Sequence, residues 1–162
     1  MRSQKAPIGS NQAEPQSPET GTEDVATEVE HQRHVGDVGR GFQFGEFYSR
    51  SEIHDRVGGG VQDYLPHTQG LVVCGCFSTV LNPDAPSIVL PGRGSGIEKW
   101  AGVFGQQRWF VPCFMKRGTG QWEHVGNYRV ASQSHRPNEI AEHAASTLRD
   151  DITSVLHLER ER

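Results

Sequence analysis

The sequence predicts an α+β domain: a small, strongly curved β-sheet or partly closed barrel flanked by helices. Three observations carry that expectation. Two Ser-x-x-Glu helix starts, Ser49–Glu52 and Ser95–Glu98, bracket a seven-residue apolar run, Leu71–Phe77, that reads as a strand buried on both faces. A strand over 109–115 and another over 121–130 flank Lys116-Arg117-Gly118-Thr119-Gly120, a hairpin turn. The strands also follow one another too closely for many βαβ crossovers.

The first 38 residues stand apart. They hold almost no large apolar side chains and are rich in Glu, Ser, Thr, Pro and Gln. Such a segment buries too little surface to offset its chain entropy, so 1–38 is expected to be a disordered acidic tail. The chain's net charge of −4 is uneven: residues 1–38 hold 3 basic and 7 acidic side chains, 39–130 hold 9 and 7, and 131–162 hold 4 and 6. An acidic whole hides a mildly basic middle. A binding domain is expected over 39–131, with 132–162 as an amphipathic helix docking on it.

Several classes drop out on composition. No apolar stretch approaches the length of a membrane-spanning helix, and no apolar run follows the N-terminal Met1-Arg2-Ser3-Gln4-Lys5, so neither a membrane partner nor a secretory signal is expected. Three cysteines cannot close a disulfide framework, which fits a reduced, cytoplasmic setting.

In chain order, Phe42, Phe44 and Phe47 suggest a short extended lead-in. The helix opened by Ser49 carries Ile53 and Val57 on one face and stops at Gly58-Gly59-Gly60. Asn82-Pro83-Asp84-Ala85-Pro86 is a turn before a strand at 87–90. The second capping box opens a helix through about Gln106, with Ile97, Ala101 and Phe104 in one stripe. Pro112 puts the strand that holds it at an edge or a bulge. Pro137 favours a helix start, and Ile140, Ala144, Leu148, Ile152 and Val155 continue that helix at helical spacing.

Motifs with chemistry are sparse. Cys74 and Cys76 lack a fourth ligand and the usual C-x-x-C spacing for zinc, so with Cys113 they read as buried thiols. His31 and His34 fall in the tail, where no helix would align them on a metal; neither a metal nor a cofactor is expected. There is no G-x-S-x-G, no H-E-x-x-H and no Walker loop. Gly94-Ser95-Gly96 does precede a helix, with Arg93 adjacent, and backbone N–H groups, helix dipole and guanidinium would suit a phosphate there. The middle segment mixes Tyr48, Tyr64, Trp100, Trp109, Trp122 and Tyr128 with Arg50, Arg56, Arg93, Lys116 and Arg117. Rings offer flat faces to an unstacked base, while cations neutralise its backbone. Trp100 and Trp109 read rather as core.

Phe47-Tyr48-Ser49-Arg50-Ser51-Glu52-Ile53-His54, followed by Gly58-Gly59 and Gln62, resembles a module of bacterial HNH-type, modification-dependent restriction endonucleases, of the SRA/YDG-like branch of the PUA-like fold. The likeness continues through Asn82-Pro83-x-Ala85-Pro86, Gly92-x-Gly94, Gln107…Pro112-x-Phe114 and Trp122-Glu123-x-Val125-Gly126-x-Tyr128-x-Val130, covering about residues 42–131. The resemblance implies a curved sheet that recognises modified DNA by flipping the altered base onto aromatic rings. It places Tyr48, Arg50, His54 and Gln62 near the nucleic-acid face, with Asn82, Arg93 and Trp122 as further candidates for the pocket. No nuclease half is recognisable, so a separate nuclease or effector would supply the chemistry. Two other classes stay open: a nuclease or hydrolase using His54 with Asp55 or Asp63, and a protein-interaction module built on the acidic tail and C-terminal helix.

Overall fold

The computed structural model describes residues 41–162, so the acidic tail, His31 and His34 lie outside the described residues. The elements in order are β1 (Phe47–Tyr48), α1 (Arg50–Val57), β2 (His67–Thr68), β3 (Leu71–Val72), β4 (Gly75–Phe77) and β5 (Ile88–Val89); then α2 (Ser95–Gln106), β6 (Val111–Gly118), β7 (Gln121–Ser134), α3 (Pro137–Thr147) and β8 (Val155–Arg160).

The class is α+β, as expected. Six strands form one mixed sheet in the order β4-β6-β7-β8-β5, with β1 also paired to β7. β4 runs parallel to β6; the other pairs are antiparallel. The sheet is open between its β4 and β5 edges and does not close into a barrel. β2 and β3 form a separate two-stranded hairpin.

Side chains alternate across the sheet, and the two faces carry different clusters. Tyr48, Cys76 and Phe114 meet Ile53 and Val57 of α1 on one face. Phe77, Val111, Cys113 and Met115 meet Ala101 and Phe104 of α2 on the other. A third cluster sets Ile140 and Ala144 of α3 against Leu90, Ile152 and Val155. The three cysteines are free and buried, and burial pushes the Cys74 and Cys113 thiols well above their ordinary pKa.

The capping box at α1 forms in both directions: Glu52 N–H donates to Ser49 Oγ at 3.1 Å and Ser49 N–H to Glu52 Oε2 at 2.7 Å. The second box does not form. Ser95 is already helical, Gly94 is the N-cap, and only the Glu98 carboxylate reaches back, accepting from Gly94 N–H at 3.2 Å. Pro112 sits in a strand flanked on both sides, yet the proline rule holds. β4 covers only Cys113–Met115, so Pro112 lies beyond its end, and a register shift follows at Cys113/Phe114.

The apolar run at 71–77 divides instead of forming one strand. Val73 N–H donates to Pro66 and Cys76 N–H to Tyr64, both at 2.8 Å, so segment 64–66 borders the run and splits it into β3 and β4.

The C-terminal expectation needs the largest correction. The helix stops at Thr147, Leu148 takes a left-handed conformation (φ 54°), and Val155–Arg160 inserts as β8 between β7 and β5. Helical spacing runs as far as Val155, but pairing with β7 over residues 128–134 satisfies the backbone groups along an edge of β7 that a surface helix would leave unpaired. Residues 132–134 and 155–160 are therefore strands of the sheet, and a boundary at 131 falls inside β7. No helix among the described residues is long and apolar enough to cross a membrane.

Candidate functional site

The glycines after α1 turn the chain back over the edge of β4. Gly58 and Gly59 have φ of +79° and +82°, and a Cβ on Gly59 would lie 2.6 Å from Pro66 Cβ and 2.9 Å from the His67 nitrogen. Segment 58–66 thereby crosses from the α1 side of the sheet to the α2 side. Arg50, the first residue of α1, pins the crossing: its Nη2 donates to the carbonyls of Gly60 at 2.9 Å and Asp63 at 2.8 Å. Its guanidinium lies 5.0 Å from the Trp122 ring centroid.

Beyond this crossing is a hollow of about 210 Å³, lined by Asp63, Tyr64, Leu65, His67, Gly96, Ile97 and Trp100. The Tyr64 hydroxyl donates to the Ile97 carbonyl at 2.7 Å, joining the crossing to the first turn of α2, and burial raises the phenol's pKa. The His67 ring stacks on Trp100, with centroids 3.5 Å apart and planes at 15°. Lys99 Nζ lies 4.9 Å from the centroid of the same indole. The N-terminus of α2 opens at Gly94, which has no side chain to cap it, beside the exposed Arg93, and Glu98 of the first turn accepts from the Gly94 N–H.

The seven residues expected to contact nucleic acid divide into three groups. Tyr48 and Asn82 are interior, which corrects the expectation that they face a ligand. The Tyr48 ring packs edge-on to Phe42 and Phe114 while its hydroxyl accepts from Gln43 N–H. Asn82 Oδ1 accepts from Leu90 N–H at 2.7 Å and holds the turn before β5. Arg50, His54, Gln62 and Trp122 gather around the crossing. Arg50 spans Trp122 and the crossing, His54 Nδ1 bonds to the Gly59 carbonyl, Gln62 is exposed beside Asp63, and Trp122 is half-buried opposite Tyr48. Arg93 stands alone at the start of α2, donating to the Asp150 carbonyl at 3.3 Å. None of the seven lines the hollow.

The rings that do line it are Tyr64, His67 and Trp100. Tyr64 and Trp100 were visible as aromatics in a basic segment, although Trp100 read as core. Nothing in the sequence joins His67 to a tryptophan in a helix thirty-three positions further on.

A second, polar cleft of about 480 Å³ lies where α2 ends against β7 and β8. Arg129 pairs there with Glu159 at 2.5 Å and donates to the Arg108 carbonyl at 3.0 Å. Among the described residues, no group of three or more His, Cys, Asp or Glu side chains is placed to hold a metal ion. No family model, curated protein or solved structure matches the chain.

Proposed function

We propose that this chain is a nucleic-acid-binding module that reads modified DNA through a flipped base, on a PUA/SRA-like fold, and works with a separate nuclease or effector. The observation that carries this reading is the hollow of Tyr64, His67 and Trp100, with Asp63 and the first-turn residues Gly96 and Ile97 of α2 in its lining and Lys99 beside the indole. Flat rings accept a base without regard to its edge, and stacking contributes about 1–3 kcal/mol per base. That is enough to offset the few kcal/mol that extrusion from a duplex costs. The first turn of α2 offers N–H groups and the helix dipole to a flanking phosphate, with Lys99 just after that turn and Arg93 just before it as the nearby cations.

Charge favours selectivity over adhesion. Residues 39–130 carry 9 basic and 7 acidic side chains, too small an excess for strong sequence-independent binding, which scales with the phosphates neutralised. Affinity would therefore depend on the base in the hollow. The hydrolase alternative gains nothing comparable: His54 bonds to the Gly59 carbonyl, with no hydrogen bond or ion pair to Asp55 or Asp63.

The test is fluorescence anisotropy with short duplexes that are unmarked or carry methyl, hydroxymethyl, glucosyl or phosphorothioate groups. One mark is expected to bind at least about tenfold tighter than the unmarked duplex, and Trp100→Leu to remove that preference. Equal affinity for every duplex, or an unchanged preference in Trp100→Leu, would reject the reading.

A further inference from the structure

The contact between His67 and Trp100 differs from the molecule's other ring pairs. Phe42, Tyr48, Phe114 and His124 meet one another edge-on or tilted, with interplanar angles from 42° to 86°. Among the described residues, His67 and Trp100 alone lie face to face, at 3.5 Å and 15°. That is the geometry a planar ligand adopts on an indole, here supplied by the protein's own side chain.

His67 also belongs to an element that stands apart from the main sheet. The β2–β3 hairpin has two residue pairs and stands outside the main sheet. Its base is tethered twice: Val72 exchanges hydrogen bonds with the buried Gln107 amide, at 2.7 and 3.0 Å, and Val73 N–H donates to Pro66. Its tip, Thr68-Gln69-Gly70, is exposed and turns through positive φ at Gln69 and Gly70. The one side-chain hydrogen bond of His67 runs from Nδ1 to the Leu65 carbonyl, two residues away, and ties the ring to nothing across the hollow.

We infer that Trp100 is a stacking platform for a planar heteroaromatic ring, and that His67 fills this face when no ligand is bound. An entering ring takes the place of the imidazole, which turns off the indole about its own side-chain bonds while the backbone of His67 stays paired with Val72. This deepens the reading above, on which it rests for the identity of the ring as a nucleobase. The exchange swaps one stack for another, so His67 lowers affinity and rejects ligands that stack no better than an imidazole.

The experiment uses the full chain and adenosine as a free planar ring, followed through the Trp100 indole N–H and the His67 ring protons by NMR. In the wild-type protein both sets of signals should shift together on titration. His67→Ala should bind adenosine about three- to tenfold more tightly, the fold-change corresponding to one aromatic pair. His67→Phe leaves a better plug on the indole and should bind more weakly than wild type. A merely structural role for His67 would weaken binding in both variants. Unchanged or weaker binding in His67→Ala, or shifts confined to Trp109 and Trp122, would overturn the inference. Adenosine exchange as described, with no duplex bound, would uphold the platform and its plug while rejecting the DNA reading.

Discussion

The Arg50 guanidinium lies 5.0 Å from the Trp122 ring centroid, while its Nη2 holds the carbonyls of Gly60 and Asp63. A side chain that the sequence offers as a phosphate contact is thus committed to the backbone of its own crossing segment. Arg50→Ala should lower stability by about 1–3 kcal/mol, through lost hydrogen bonds from a charged donor and a lost cation–π contact. Urea denaturation reads this loss directly. Arg93, exposed and held by one long hydrogen bond, should behave differently. Under the proposed function, Arg93→Ala leaves the denaturation midpoint in place and reduces the salt slope of duplex binding by about 1. Equal destabilisation by the two substitutions would contradict this division of roles.

Gly59 is the tightest point of the crossing. Its positive φ and the 2.9 Å approach of a would-be Cβ to the His67 nitrogen leave alanine no relaxed position. Gly59→Ala should cost more than about 2 kcal/mol, from left-handed strain and from backbone displacement. Gly41→Ala, where a Cβ meets nothing within 4 Å, is the matched control and should change stability by less than about 0.5 kcal/mol.

His124 gives the domain a pH dependence. Its ring is buried between Phe42 and Phe114, and burial lowers its pKa below the ordinary 6.5. The unfolded chain then binds a proton that the folded state refuses. The stability His124 protects is complete above about pH 6.5 and is lost as pH falls from there toward the depressed folded value. Glu52, Glu139 and Asp151 have lowered values too, but their ordinary pKa values are 4.5, 4.5 and 3.8, so their losses come at more acid pH. Between pH 6.5 and 5 the denaturation midpoint should therefore fall in the wild type, and much less in His124→Phe. A parallel fall in both proteins would assign the effect elsewhere.

Leu148 ends α3 in the left-handed region and is 94 % exposed. It gives up conformational ease without gaining burial. Leu148→Gly should raise stability by up to about 1 kcal/mol, because glycine takes this C-terminal position without a Cβ penalty. A lower thermal midpoint in the variant would mean that the leucine is packed in solution.

Local signals survived into the structure where they were self-contained. The capping box at Ser49 and Glu52, the stop at Gly58, the hairpin around Gly120 and the helix start at Pro137 each depend on a few neighbouring residues. The second capping box failed because Gly94, with no side chain to accept a hydrogen bond, took the N-cap position. At the site, the resemblance grouped Tyr48, Arg50, His54 and Gln62; the structure brings Arg50, His54 and Gln62 to one segment because they are close in the chain, adds Trp122 through its pairing opposite Tyr48, and turns Tyr48 itself inward.

Alternation, capping and glycine placement determined the class of fold and most of its elements, since those preferences act over one or two turns of chain. Tertiary structure alone decided that 155–160 would be a strand, because an unfilled place beside β7 outweighed a helical repeat. It alone turned Tyr48 inward and set His67 on Trp100. Such pairings depend on how distant segments cross a sheet edge, and no local preference encodes that crossing.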